Sequence, residues 1–126
     1  MPVTRIDHLV LTVGDLERTI AWYGTVAGMT HLRFGEGRHA LTFGEQKINL
    51  HVRGHEIEPH AAAPTAGSAD FCFIVDEAPD ALDARLDRLG IPIELGPVLR
   101  DGATGELTSF YLRDPDDNLV ELSSYR

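Results

Sequence analysis

Hydrophobic and polar residues alternate at the start of the chain and then change to a helical period. The alternation over residues 6–13 is typical of a half-buried strand. Apolar side chains then recur at intervals of four, three and four residues, at Leu16, Ile20, Tyr23 and Ala27. Asp15 is suited to cap this helix and Gly28 to end it. The pattern therefore predicts a strand followed by an amphipathic helix.

The same succession occurs a second time further along the chain. An alternating stretch over residues 69–75 precedes a helical stretch over residues 78–89, and Gly90 follows. Two landmarks, His8 with Asp70 and Gly28 with Gly90, are each separated by 62 residues. Because one such unit cannot bury its apolar faces alone, the repeat predicts two copies that pack against each other.

Three further strands are predicted after each helix, which gives the order βαβββ twice. They cover residues 29–34, 39–43, 47–52, 91–95, 107–113 and 119–124. The predicted fold class is α+β, with two βαβββ modules forming a cupped mixed sheet. We expect a single domain over residues 1–126, with module one at 1–53, a linker at 54–68 and module two at 69–126. A glycine-rich loop is predicted at 96–106. The matching positions in the last strands, His51 and Glu121, are separated by 70 residues instead of 62, and the eight extra residues map to the loop around Arg100–Glu106, which is a candidate lid.

Composition excludes several classes of function. A formal net charge of −9 and a pI near 4.9 disfavour nucleic acid and anionic membrane surfaces, which require a basic patch. The first residues lack the pattern of a secretory signal, and no apolar run approaches the ~18 residues of a membrane span. We therefore expect a cytoplasmic protein. Cys72 is the only cysteine and is predicted to be a small core residue.

Side chains that can bind a metal lie on one face of the strands that open and close each module. Parity gives each of these strands an apolar face and a mixed face, and the mixed faces carry His8, His51, Asp70 and Glu121. Packing of the two copies would bring these groups together. Imidazole and carboxylate suit Fe(II), Mn(II), Zn(II) or Ni(II). The alternative is that the histidines bond to backbone and Glu121 forms a salt bridge.

Other polar residues share these mixed faces and are candidate substrate contacts. Asn49 and Arg113 are predicted to bind substrate, and Tyr111 to orient an oxygenated one. The alternatives are an aromatic ring that closes the cavity, and an arginine paired with Asp114 or Asp116. Arg100, in the predicted lid, is either a contact for an anionic substrate or a solvated side chain.

Three stretches closely resemble the vicinal oxygen chelate superfamily, which includes glyoxalase I, fosfomycin-resistance enzymes, extradiol dioxygenases and bleomycin-binding proteins. These are residues 5–13, the Trp22-Tyr23 pair and residues 110–121, with the sequence Asp-Pro-Asp-Asp-Asn-Leu-Val-Glu at their end. The resemblance implies paired βαβββ modules around a metal, with His8 and Glu121 as ligands. His51 is placed where glyoxalase I has a carboxylate, and Asp70 where it has a histidine.

The resemblance implies a three-ligand set of His8, His51 and Glu121, with Asp70 as a fourth ligand, a base or an outer partner. The predicted function is that of a small metal-dependent enzyme acting on vicinal oxygens, either by extradiol-type ring cleavage or by glyoxalase- or lyase-like chemistry. A non-catalytic binding protein similar to the bleomycin-sequestering members is the alternative, and a structural subunit with a plugged cavity is a third. The expected partners are a small-molecule substrate and a second copy in a homodimer.

Overall fold

A computed structural model describes residues 2–125 and divides into two compact units. Unit 1 is Met1–Gly67 and unit 2 is Ser68–Arg126. Met1 and Arg126, the ends of the predicted domain, lie outside the described residues. The segment predicted as a linker therefore belongs almost entirely to unit 1, where the amide of His55 donates to the carbonyl of Val52 at the end of the preceding strand.

Unit 1 consists of a four-stranded mixed sheet and one helix. Its elements are β1 (His8–Val13), α1 (Leu16–Ala27), β2 (Thr30–Phe34), β3 (Arg38–Phe43) and β4 (Gln46–Val52). The strand order is β1-β4-β3-β2. Strand β1 pairs with β4 in parallel, whereas the other pairs are antiparallel.

Unit 2 repeats this arrangement. Its elements are β5 (Asp70–Ile74), α2 (Pro79–Leu89), β6 (Leu95–Asp101), β7 (Glu106–Arg113) and β8 (Leu119–Tyr125). The strand order β5-β8-β7-β6, with β5 parallel to β8, matches the order in unit 1. The prediction of an α+β fold built from two βαβββ modules is confirmed.

Both helices are bounded by the residues that the sequence indicated. The Asp15 carboxylate accepts a hydrogen bond of 3.0 Å from the amide of Arg18, and Gly28 adopts a left-handed conformation with φ of 69°. Tyr23 is fully buried, as predicted. In α2, Leu82 and Leu86 are buried, whereas Leu89 is exposed. Neither helix within residues 2–125 has the length and apolar character needed to cross a membrane.

The predicted strand 91–95 and loop 96–106 are wrong. Strand β6 runs from Leu95 to Asp101 and pairs with β7, so most of the predicted loop is strand and the candidate lid is reduced to the turn at 102–105. The sequence Gly96-Pro97 suggested a break, but β6 is an edge strand and its register shifts between Leu95 and Val98. An edge with a bulge tolerates proline because no ladder hydrogen bond is lost there. The connection to β7 shortens to a tight turn, closed by a hydrogen bond of 2.7 Å between Gly102 and Gly105.

Candidate metal and substrate site

The register of unit 1 separates the two histidines that were predicted to bind one ion. His8 lies opposite Lys47, whereas His51 lies opposite Thr12, four residues further along β1. Strand rise and spacing then place the His8 and His51 Cα atoms about 14 Å apart. Because side chains stand roughly perpendicular to a sheet, two imidazoles at this separation do not converge on an ion with bonds of about 2.1 Å. Unit 1 does not bring His8 and His51 together.

The corresponding pairs in unit 2 identify which positions match between the repeats. Asp70 lies opposite Leu119, and Glu121 lies opposite Cys72. By the same rise and spacing, the Cα atoms of Asp70 and Glu121 are about 8 Å apart on one face.

The register also shows that the predicted match between His51 and Glu121 is wrong. Asn49, opposite Val10, is the counterpart of Glu121, and His51 corresponds to Ser123. Strands β4 and β8 are thus offset by 72 residues, whereas the opening strands β1 and β5 are offset by 62. Module two therefore contains ten extra residues and not eight. The longer β6–β7 hairpin lies within this added length, and spacing alone could not reveal its size.

Among residues 2–125, no three histidine, cysteine, aspartate or glutamate side chains are gathered around a position that could hold an ion. His8, His51, Asp70 and Glu121 are the ligands expected from the sequence. The roles of these residues as ligands stay predictions, and the surroundings of each side chain indicate how well it suits such a role.

The surroundings of His8 suit a metal ligand. Its Nδ1 lies 2.8 Å from an Asp7 carboxylate oxygen, and this hydrogen bond is the main cause of a lowered pKa for Asp7. With Nδ1 as the donor, Nε2 carries the lone pair that binds a metal. Metal-binding histidines commonly donate their other ring nitrogen to a carboxylate in this way. No role for Asp7 was predicted from the sequence, although its position directly before His8 was a visible signal.

Glu121 lies in a cavity of unit 2 with a volume of about 480 Å³. The polar side chains that line it include Glu121, Cys72, Arg100 and Tyr111. The hydroxyl of Ser123 lies 3.2 Å from a Glu121 carboxylate oxygen and 2.7 Å from the hydroxyl of Ser109. These buried hydroxyls fix the orientation of the carboxylate, so Glu121 presents a positioned anionic oxygen to the cavity.

Tyr111 and Arg100 form the second polar group of this cavity. The Nε–H of Arg100 donates to the Tyr111 hydroxyl oxygen at 3.0 Å, and the guanidinium carbon lies 5.5 Å from the centre of the ring. Because the phenol oxygen accepts this bond, its own proton remains available for donation to a ligand. The prediction for Tyr111 is compatible with this geometry. Arg100 extends from an ordered strand into the cavity lining, and not from a solvated loop.

The prediction that Cys72 is a core residue is wrong. The residue as a whole is exposed on the edge strand β5, although its sulfur lies 3.2 Å from the hydroxyl of Ser123. Desolvation of the sulfur raises the pKa of the thiol above its ordinary value. A thiol is a weaker nucleophile than a thiolate, so these surroundings do not favour nucleophilic catalysis by Cys72.

Arg113 is paired with Glu94, a partner that was not predicted from the sequence. Its guanidinium makes two hydrogen bonds to Glu94, of 2.9 and 3.1 Å, and a third to the carbonyl of Asp117. The partners considered from the sequence were Asp114 and Asp116. The ion pair raises the pKa of Arg113 and lowers that of Glu94. Substrate binding by Arg113 stays a prediction and would require competition with Glu94.

The turn between β7 and β8 positions the carboxylates of Asp70 and Glu121 in unit 2. The Asp114 carboxylate accepts bonds from the amides of Asp116 and Asn118, and from the Asn118 side chain. The Asn118 side-chain oxygen in turn accepts from the amide of Ala69 at 2.9 Å. The turn thus ties β8 to the residue before Asp70, so the Asp-Pro-Asp-Asp-Asn motif is structural and fixes the register of Glu121.

Comparison with known proteins agrees with this fold and motif. A family model described as "Glyoxalase/Bleomycin resistance protein/Dioxygenase superfamily" matches residues 5–122. Virulence protein STM3117 of Salmonella typhimurium is 51% identical over 99% of this chain and 87% of its own length. Its crystal structure covers 100% of both chains with a TM-score of 0.98.

Two further relatives broaden the comparison. Glyoxalase domain-containing protein RDO1 of Mycosarcoma maydis is 48% identical over 100% of this chain and 71% of its own length. Biphenyl-2,3-diol 1,2-dioxygenase 2 of Rhodococcus globerulus is 30% identical over 94% of this chain and 61% of its own length. With a family model that spans nearly the whole sequence, the chain belongs to the Glyoxalase/Bleomycin resistance protein/Dioxygenase superfamily.

Proposed function

We propose that the protein is a metal-dependent enzyme that binds two neighbouring oxygen atoms of a small-molecule substrate. His8 and Glu121 are the proposed ligands of one divalent ion, which is Fe, Mn, Zn or Ni. The observation that carries the proposal is the hydrogen bond of 2.8 Å between His8 and Asp7, because it leaves Nε2 available to bind a metal. When bound, the ion would polarise the substrate oxygens and stabilise developing negative charge.

Asp70 is a further candidate ligand of this ion, beside His51. Asp70 lies on the same face as Glu121 and is exposed on an edge strand, so it can bind the ion directly or act as a base toward substrate. The position in unit 1 that matches Glu121 holds Asn49, whose neutral amide is a weaker ligand than a carboxylate. Fewer strong ligands leave coordination positions open for the substrate, as a catalytic site requires.

The remaining residues of the unit 2 cavity would bind and orient the substrate. Tyr111 would donate its proton to a substrate oxygen, while Arg100 keeps the phenol in place and adds positive charge. The chemistry is either ring cleavage of a catechol with oxygen or glyoxalase- or lyase-like turnover. Oxygen uptake with catechols, and turnover of a glutathione hemithioacetal, distinguish these reactions.

Metal content tests the proposed ligands directly. We expect about one equivalent of a divalent ion per chain, and loss of most of it in His8→Ala and Glu121→Ala, measured by elemental analysis. His55→Ala and Glu36→Ala, which remove exposed groups of unit 1, serve as controls and should retain the metal. Unchanged content in both ligand variants would contradict the assignment. His51→Ala decides its place: loss of metal would support the three-ligand set predicted from sequence.

A binding protein without catalysis is the second candidate. The observation that favours it is that two tyrosines, Tyr111 and Tyr125, line the unit 2 cavity, because aromatic rings suit a planar ligand. This candidate predicts quenching of tyrosine fluorescence by an aromatic antibiotic, with no turnover in the presence of any of the four metals. Turnover of either substrate class would exclude it.

A further inference from the structure

Four polar side chains lie close together on the β3–β4 face of unit 1, among them His51, predicted from the sequence as a metal ligand, and Asn49, predicted as a substrate contact. Asn49 lies opposite Ala40, and Lys47 opposite Thr42. Continuing the same antiparallel register places Arg38 beside His51, which agrees with the electrostatic influence of Arg38 on that imidazole. We call Arg38, Lys47, Asn49 and His51 the unit 1 polar cluster.

Two members of the cluster contain buried polar atoms without a partner. Asn49 and His51 are each only 4% exposed, and Asn49 Oδ1 and His51 Nδ1 make no hydrogen bond to any described residue. Buried polar atoms in folded proteins are nearly always paired, so each exception needs an explanation. Since the small side chain of Ala40 lies opposite Asn49 and supplies no partner, a bound molecule is a suitable one.

The other two members are cations without a carboxylate partner. The Arg38 guanidinium lies 4.8 Å from the centre of the Phe34 ring, and the Lys47 ammonium lies 3.9 Å from it. Neither forms an ion pair with any residue in the part of the chain that the structure describes. Both cations thus lie beside one aromatic ring with no carboxylate of a described residue bound to either. Together they favour an anionic group.

We propose that the unit 1 polar cluster binds a small hydroxycarboxylate. Its carboxylate groups pair with Arg38 and Lys47, while a neighbouring hydroxyl donates to Asn49 Oδ1. His51 Nδ1 pairs with a second polar atom of the ligand, as donor or acceptor according to its tautomer. All four contacts come from unit 1, so this binding does not require the metal of the proposed function and can be tested without it.

Calorimetric titration in the presence of EDTA tests the ligand class. The probes are malate, succinate, which lacks the hydroxyl, and glycerol, which lacks the charge. We expect malate to bind, succinate to bind at least fivefold more weakly, and glycerol to give no signal. No binding of malate, or equal binding of malate and succinate, would overturn the inference.

Three variants test the contacts. Arg38→Gln should weaken malate binding at least tenfold, and Asn49→Ala should remove the preference for malate over succinate. Arg33→Gln is the control, because Arg33 is an exposed cation on β2 whose strand position places it on the opposite face. It should bind malate within twofold of the wild type. Wild-type affinity of Arg38→Gln for malate would disprove binding by the unit 1 polar cluster.

Circular dichroism and thermal melting establish that each variant is folded. If Asn49→Ala unfolds, Arg38→Gln still tests the proposal, because Arg38 is only partly buried. Metal content is measured separately on the untreated protein. Metal loss in His8→Ala with intact malate binding, or the reverse, therefore separates the failure of one proposal from the failure of the other.

Discussion

The carboxylate of Asp7 determines which nitrogen of its neighbour is available to a ligand. It accepts a hydrogen bond from His8 Nδ1, which selects the tautomer with an unprotonated Nε2. Its lowered pKa keeps Asp7 ionised well below neutral pH, so this selection holds throughout the physiological range. At acidic pH this selection of the His8 tautomer is lost once Asp7 is protonated. At the scale of single residues, the chemistry of His8 is therefore set by the residue directly before it.

Asp7→Asn should weaken metal retention by about tenfold, in line with the usual effect of losing a carboxylate behind a metal-binding histidine. Asparagine can still accept the hydrogen bond but carries no charge. Competition with a chromophoric chelator measures the change, with Asp83→Asn, an exposed aspartate of α2, as the control. Equal retention by Asp7→Asn and the wild type would show that Asp7 has no such role.

Residue chemistry was predictable from the sequence only as far as parity allows. Alternation correctly placed Asn49, His51 and Glu121 on mixed strand faces, because the direction of a side chain repeats every two residues. Parity does not specify which residues lie opposite each other. The prediction that His51 is the counterpart of Glu121 was therefore wrong by two residues. The true counterpart, Asn49, is the neighbouring side chain on the same face of β4.

Elements are joined in unit 2 by side chains that act on backbone groups. Asn118 is fully buried and connects the Asp114 carboxylate with the amide of Ala69, so one side chain links the β7–β8 turn to the start of β5. The motif was recognised from the sequence by resemblance, but its hydrogen bonds were not. In contrast, β6 was missed because glycine and proline are poor strand formers away from bulged edges.

Asn118→Ala should lower the free energy of unfolding by about 2–3 kcal/mol, because it removes one hydrogen bond to the half-buried Ala69 amide and one to the buried Asp114 carboxylate. Urea denaturation measures this loss. Asp117→Ala should lower the free energy of unfolding less. Asp117 is exposed, and the substitution mainly places alanine at a positive φ of 66°, which aspartate tolerates better. A loss below about 0.5 kcal/mol in Asn118→Ala would contradict the structural role of the motif.

The start of α2 is held by an ion pair whose strength depends on pH. Glu77 accepts two hydrogen bonds of 2.8 Å from Arg85, which is the main cause of its lowered pKa. When folding lowers the pKa of a carboxyl group, its ionised form stabilises the folded protein at pH values above the unfolded-state pKa. This stabilisation is lost as the pH falls through the folded-state pKa. The contribution is therefore present at pH 7 and lost below about 4.5.

Glu77→Gln should cost about 1 kcal/mol of unfolding free energy at pH 7, since both side chains are only about a quarter exposed. The difference from the wild type should shrink as the pH falls below 4.5. Urea denaturation at pH 7, 5 and 3.5 measures it, with Glu36→Gln as the exposed control. A difference that stays constant with pH would show that the ion pair is not its cause.

On the scale of the whole molecule, apolar side chains on the edges of both sheets favour association with a second copy. Strands β1 and β2 are the edges of one sheet, and β5 and β6 of the other. Large apolar residues on these edges are exposed, among them Val10, Ile74 and Leu99. Unpaired strand edges with such side chains are poorly tolerated in isolated proteins. We propose that the protein is a homodimer.

Light scattering after size exclusion should give the mass of two chains at micromolar concentration. Leu99→Lys, on the β6 edge, should raise the dissociation constant at least tenfold, because lysine opposes pairing at a strand edge. Leu89→Lys replaces a similarly exposed leucine on α2 and should leave the dimer intact. A monomeric mass for the wild type, or equal dissociation of the two variants, would contradict the proposal.

The pairing of the first strand of each unit with its last strand has a consequence during translation. Strand β1 can form its ladder as soon as residue 52 has left the ribosome, whereas β5 pairs only with β8, which ends at Tyr125. At about 5–20 residues per second, several seconds separate the two events. The first unit can thus form its sheet while the second is still being synthesised, whereas β5, which includes Phe71 and Phe73, cannot form its ladder until β8 has been made.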